Sequence, residues 1–251
     1  MNMAQLYLNE LQWQVEAVFL DKDGTLIDFM HTWGYWAEQA LRQYAIQLAE
    51  QGYEAAANMP ARIGMLAHGA DVDRNGPLAM GTVAQLETIL TFSSYELGMP
   101  WFEAIKVSRS CLAYADKAVE LERRVRLLPG AGRFLEEAAR LRIPMFIVTA
   151  DETDTAVKQM QWLGMAHYFT DIIGTDQVVR GKPYPDMLEL AAGRHQVDLT
   201  RAVMIGDTSS DMSMAHSAGL AVRLGKLSPG GSVITHATSC FEDYGQLTIT
   251  A

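Results

Sequence analysis

Asp21-Lys22-Asp23-Gly24-Thr25 stands directly after the apolar run Val15 to Leu20. In an extended backbone residues two apart share a side, so the carboxylates of Asp21 and Asp23 are expected to converge beyond a strand end. Three further clusters belong with this one. Thr149 follows Ile143-Pro144-Met145-Phe146-Ile147-Val148, Lys182 opens Lys-Pro-Tyr-Pro-Asp, and Gly206-Asp207-Thr208-Ser209-Ser210-Asp211 closes the run that starts at Ala202. Asp21, Asp23, Asp207 and Asp211 supply four carboxylates, Thr149 a hydroxyl and Lys182 an ammonium. Two carboxylates about 4 Å apart repel by roughly 4 kcal/mol at an effective dielectric of about 20, so a cation belongs among them. Oxygen donors without a competing His/Cys cluster suit Mg²⁺ over Zn²⁺, with room left for water and a substrate phosphate.

The elements that must position these residues are readable from apolar periodicity. Val15–Leu20, Ile143–Val148, Ala202–Gly206 and Leu220–Leu224 read as buried strands. Gly132–Leu141, Thr153–Leu163, Pro185–His195 and Ser209–Ala218 read as helices, the last opening on small N-capping residues. Alternating strands and helices imply an α/β fold, a Rossmann-like parallel sheet flanked by helices, with its ligand site outside the carboxyl ends of the strands. Residues 29–124 break the alternation: long helix-like stretches follow one another with few strand signals. They are expected to form an inserted all-α domain, with 1–28 and 125–251 as the core domain and crossings near Asp28 and Val125. Asp28 is read as a cap of the first inserted helix. Trp33, Trp36 and Ala40 share one helical face and read as core packing, and Met59, Met65, Met80 and Met99 as fillers of the insertion's core. The stretch from Phe241 to Ala251 reads as a last short strand or a tail.

Composition narrows the partners. Hydrophobic residues make up 49% and charged residues 20%, a globular mixture, and 20 basic against 30 acidic side chains give a net charge of −10. Such a chain is not expected to bind nucleic acid over a broad surface. Cys111 and Cys240 fit neither a disulfide framework nor a zinc knuckle and suit a reducing compartment. Residues 1–14 lack the basic-then-apolar pattern of a signal peptide, and the apolar runs fall well short of the roughly 20 residues that span a bilayer. A cytoplasmic location with no membrane partner is the expectation; monomer and homodimer both stay open.

The ordered set DKDGT, Thr149 after an apolar strand, Lys182 and GDTSSD resembles the haloacid dehalogenase superfamily, specifically its Mg²⁺-dependent aspartyl phosphatases of the phosphoglycolate-phosphatase-like type. The resemblance covers about residues 15–28 and 125–241 and implies that the insertion is a helical cap. It implies that Asp21 is the nucleophile that forms an aspartyl-phosphate. Asp23 becomes general acid toward the leaving alcohol and then general base for water. Thr149 hydrogen-bonds a phosphoryl oxygen with Ala150 beside it, and Lys182 neutralises charge on Asp21 and the phosphate. Mg²⁺ falls to Asp21, Asp23 through its backbone carbonyl, Asp207 and Asp211, the last directly or through water. Gly24 supplies a tight turn that lets backbone N–H groups approach the phosphate.

The expected activity is hydrolysis of a small phosphorylated metabolite, with the cap closing to exclude bulk water. His31 and Arg74 are the cap side chains read as candidates for contact with the leaving group. A phosphomutase of the β-phosphoglucomutase type is the alternative. A haloacid dehalogenase needs no aspartate at position 23. A phosphonatase needs a cap lysine, and the insertion offers only Lys106 and Lys117. A silent binding module has no physical reason to keep a costly acidic cluster.

Overall fold

A computed structural model describes residues 3–66, 71–228 and 231–251. The chain divides into two compact units, Met1–Asp28 with Arg126–Ala251, and Phe29–Val125. The first unit opens with a hairpin, β1 (Ala4–Leu8) and β2 (Leu11–Val15), turned at Asn9, whose φ of 54° lies where Asn is tolerated. Ala4, Leu6 and Leu8 are buried and their neighbours are not, a two-residue period that goes with one covered face. Five-residue strands this close to the chain start carry too little pattern to be expected from the sequence. β3 (Ala17–Leu20) follows, all four residues buried.

The second unit is helical. A π-helical turn, Met30–Gly34, runs into α1 (Tyr35–Glu50), followed by the short α2 (Met59–Arg62) and α3 (Pro77–Met80), then α4 (Val83–Glu96) and α5 (Trp101–Glu122). Thr82 caps α4 in a reciprocal box with Gln85. Trp36 and Ala40 are buried, Trp33 packs on the same cluster edge-on to Trp36, and the Trp36 indole N–H donates to Asp116 at 2.7 Å. Core packing is therefore the role of this face. Met59, Met65 and Met99 join that core, but Met80, expected there too, is 38% exposed at the end of a four-residue helix. Asp28 stands at the last position of the first unit. Its N–H donates to the Arg126 carbonyl at 2.9 Å and its carboxylate pairs with the Arg126 guanidinium at 2.5 Å, so it clips the two crossing strands together.

Beyond Arg126 come α6 (Ala131–Arg140), β4 (Met145–Val148), α7 (Thr153–Trp162), β5 (Asp171–Ile173), α8 (Asp186–His195), β6 (Ala202–Gly206), α9 (Ser209–Ser217), β7 (Val222–Lys226), β8 (Ser239–Phe241) and β9 (Leu247–Thr250). Six strands form a parallel sheet in the order β5-β4-β3-β6-β7-β8, flanked by helices, while β9 pairs antiparallel with β1 in a separate sheet ordered β2-β1-β9. Every residue of β3, β4 and β6 is buried, as strands covered on both faces require. Phe19 and Phe146 stack at 4.9 Å between centroids, and Met187, Leu188 and Met212 pack into the same core. Each such side chain contributes about 1.5–3 kcal/mol by leaving water. β5 was not read from the sequence because three residues carry too little periodicity. β7 runs through Gly225, where the sequence reading ended it, because a Cβ there would meet the Cys240 sulfur of the neighbouring strand at 2.9 Å and glycine lets β8 approach. No helix among the described residues is long and apolar enough to cross a membrane.

Candidate active site

The chain leaves β3 toward β4 and β5 and later resumes at β6 on the other side of β3. The resulting switch point lies between β3 and β6, where open α/β sheets bind ligands past their carboxyl ends. Asp21 begins at that point, its N–H donating to the Ile205 carbonyl of β6 at 2.9 Å. The chain then closes on itself: the N–H groups of Leu26 and Ile27 both donate to the Lys22 carbonyl at 2.9 Å, and Gly24 at φ 82° donates to Ile27 at 2.8 Å. Glycine is needed for that φ. Because the Gly24 amide is spent inside the loop, the contribution of Gly24 is the turn and not its own N–H.

Asp207 follows Gly206, the last residue of β6. A Cβ at Gly206 would lie 2.5 Å from the Asp211 Cβ, so only glycine lets the first turn of α9 sit this close. Thr208 caps α9: its Oγ1 accepts from the Asp211 N–H at 3.3 Å, while Asp211 Oδ2 accepts from the Thr208 N–H at 3.0 Å and hydroxyl at 2.6 Å. That leaves Asp211 Oδ1 facing Lys182 Nζ at 2.6 Å. Lys182 also reaches Asp21 Oδ1 at 2.5 Å, and its side chain is only 8% exposed.

Asp21, Asp207 and Asp211 each present a carboxylate oxygen within 4.8 Å of the others. With Lys182 as the ammonium among them, two negative charges are in excess. Burial drives the Asp21 carboxyl well above the usual carboxylate range; Lys182 pulls it down, and Asp211, Asp207 and Asp23 push it further up. Burial works against the charge on Lys182, but Asp21 and Asp211 outweigh it and hold the ammonium charged beyond its ordinary range. An all-oxygen, negatively overcharged pocket is what a hard divalent cation requires, so the residues present fit one.

Asp23 does not join this trio. Its Oδ2 lies 2.6 Å from Lys22 Nζ, and Lys22 is fully buried. The sequence reading brought the Asp21 and Asp23 carboxylates to one point; the intervening lysine draws the second one aside. Thr149, buried at the end of β4, donates its N–H to Ile173 and accepts the Asp151 N–H on Oγ1 at 3.2 Å. Ala150 beside it is exposed. His31 and Arg74 belong to the helical unit, His31 in the π-helical turn and Arg74 with its guanidinium 5.6 Å from the Phe29 ring centroid and 3.7 Å from Asp71. Reading the sequence missed Thr25, whose hydroxyl donates to Asp207 at 3.5 Å, and Tyr244, whose hydroxyl donates to the Thr25 carbonyl at 3.0 Å. Thr25 sat inside the quoted motif; nothing near Tyr244 in the chain signals a partner 219 residues away.

Fold and site together define a doubly wound α/β domain with a lysine-bearing acidic centre at the switch point of its sheet. The chain matches the family model of the haloacid dehalogenase-like hydrolases over residues 15–219 and belongs to that family. Among curated relatives it is 28% identical to the phosphoglycolate phosphatase of Vibrio parahaemolyticus, over 84% of this chain and 83% of that one. To the phosphoglycolate phosphatase of Escherichia coli K12 it is 27% identical, over 82% and 79%. The fold is shared with the crystal structure of β-phosphoglucomutase from Clostridium difficile, with a TM-score of 0.62 at 18% identity over 92% of each chain. CbbY of Rhodobacter sphaeroides, crystallised with xylulose-1,5-bisphosphate, has a TM-score of 0.61 at 18% identity over 92% of this chain and 95% of that one.

Proposed function

We propose that this hydrolase is a Mg²⁺-dependent phosphatase that releases inorganic phosphate from a small phosphorylated metabolite. The observation that carries the reading is the Asp21 carboxylate, buried at the switch point, 2.5 Å from Lys182 and grouped with Asp207 and Asp211. Asp21 attacks phosphorus, a bond forms from its carboxylate oxygen, and the bond from phosphorus to the leaving oxygen breaks. Asp23 gives a proton to that oxygen, then takes one from the water that attacks the aspartyl-phosphate, and Asp21 is regenerated. Lys182, placed between Asp21 and Asp211, offsets the charge gathering on the transferring phosphoryl group, and Thr149 donates to one of its oxygens. Asp21 and Asp207 would hold Mg²⁺, with Asp211 supporting them through Lys182 and the Thr208 cap; when bound, the ion withdraws charge from the phosphoryl oxygens.

Residues 29–124 are assigned as the cap, and His31 and Arg74 as its first candidates for substrate recognition. The curated relatives named phosphoglycolate phosphatase support a small phosphorylated acid as the starting point for a substrate search. The β-phosphoglucomutase likeness rests on fold at 18% identity, and transfer to a sugar is the rival reading. The deciding assay is phosphate release from a panel of phosphorylated metabolites, 2-phosphoglycolate and 4-nitrophenyl phosphate included, with Mg²⁺ and with Asp21→Asn as blank. Release from several members supports the phosphatase. Transfer to an added sugar phosphate with little release replaces it by the mutase, and silence with an intact fold removes both.

A further inference from the structure

A lysine with no solvent exposure sits between the two motif aspartates. The backbone alternation that sends Asp21 toward the switch point sends Lys22 into the protein. An ammonium has three N–H donors and no acceptor, and burying it with any donor unmet is costly. Lys22 Nζ has three oxygens in reach: Asp23 Oδ2 at 2.6 Å, Gln159 Oε1 on α7 at 2.6 Å, and Asp151 Oδ2 in the loop after β4 at 2.9 Å. Gln159 is itself buried and Asp151 only 10% exposed, so two of the three partners are anchored in the core unit away from the Asp21 trio. Held by the Gln159 hydrogen bond and by ion pairs to Asp151 and Asp23, Lys22 is a stiff strut that ends on a carboxylate oxygen of Asp23.

From this geometry, and resting on the acid–base reading of Asp23 given above, we infer that Lys22 is a positioning residue. It pins Asp23 by Oδ2 and so fixes the orientation of the carboxyl that exchanges a proton with the leaving group and then with water. Asp151 and Gln159 act one step further out by holding Lys22. A general acid must lie within hydrogen-bond reach of the atom it protonates, so a carboxyl released from its strut spends less of its time in a productive orientation. Phosphoryl transfer from a good leaving group needs no proton. The defect should therefore appear with alkyl phosphates and not with aryl ones, which a general weakening of the fold would not produce.

The test compares kcat/KM of the Mg²⁺-loaded full chain on 2-phosphoglycolate and on 4-nitrophenyl phosphate, in wild type, Lys22→Met, Asp151→Asn and Asp23→Asn. This ratio reports formation of the phospho-enzyme only. Lys22→Met is expected to lower the alkyl-to-aryl ratio by about 10-fold or more, and Asp151→Asn to lower it in the same direction by less. Should Lys22→Met fail to fold, Asp151→Asn, which keeps the volume and the lysine, carries the comparison alone. An unchanged ratio in a folded Lys22→Met, or in Asp151→Asn where that stands alone, overturns the role of Lys22 provided that Asp23→Asn collapses the ratio. If Asp23→Asn leaves the ratio unchanged as well, the acid role of Asp23 falls, and the inference falls with it.

Discussion

Asp21 and its neighbours hold more negative charge than one lysine neutralises, and two outcomes follow from that imbalance. Asp21→Asn keeps the side-chain volume and leaves Lys182 its contact with Asp211 at 2.6 Å. Turnover is expected to fall on the order of 10⁴-fold or more, the scale seen when a covalent nucleophile is lost, while the unfolding midpoint stays within about 4 °C. Phosphate assay and calorimetry check both halves. The second outcome needs no turnover. Mg²⁺ binding only the folded state should stabilise the protein by about 2.7 kcal/mol at 100 times its dissociation constant, read as a rise in the midpoint that EDTA reverses. Asp207→Asn should remove most of that rise, and a full rise in this variant would take Asp207 out of the metal site.

The helix that carries Asp211 is held by a cap, and the strand that ends the sheet by a cluster of polar contacts. Thr208→Ala removes the hydroxyl half of the α9 capping box and leaves the Thr208 N–H bond to Asp211 Oδ2. A loss of about 1 kcal/mol in urea denaturation is expected, together with a fall in kcat, since Asp211 loses the hydroxyl contact on Oδ2 that helps to aim Oδ1 at Lys182. At β5, burial pushes the Asp171 carboxyl up, but His195, Arg194 and the Ile172 N–H outweigh it and hold it below the usual range. A carboxyl depressed in the folded state contributes stability above its ordinary pKa and loses it as pH falls through the folded value. Denaturation midpoints should therefore drop below about pH 4 in wild type, and this acid limb should be shallower in Asp171→Asn. The three residues of β5 were invisible to periodicity, whereas α6 to α9 and β3, β4 and β6 were readable within a residue or two, because each carries its own apolar pattern or cap.

Across the whole molecule, the two ends of the described chain meet in one sheet. β9 lies against β1, Leu247 and Ile249 are buried there, and Tyr244 reaches from the same segment to the Thr25 carbonyl in the loop after β3. Deleting residues 242–251 takes away three buried side chains, each worth about 1.5–3 kcal/mol, and a buried hydrogen bond of about 1 kcal/mol. That total is comparable to the stability of a typical domain, so the truncated chain is expected to lose cooperative unfolding at 37 °C by circular dichroism. Tyr244→Phe, which removes only the hydroxyl, should fold and lose about 1 kcal/mol. A truncation that melts like the full chain would show that β9 merely decorates the sheet.

Short-range pattern was enough for the class of fold, for the helical character of residues 29–124 and for the residues of the acidic centre, since each of these is written in consecutive residues: an apolar run, a helical stripe, an aspartate after a strand. Pairings between distant residues had no such signature. The N-terminal hairpin finds β9 at the other end of the chain, Thr25 receives Tyr244, and Lys22 meets Gln159 at a separation of 137 residues. Which oxygen faces which ammonium is settled only when the strands lie side by side and burial obliges every charged group to find a partner. For that reason the sequence placed Asp23 beside Asp21, and the folded protein turned it toward Lys22.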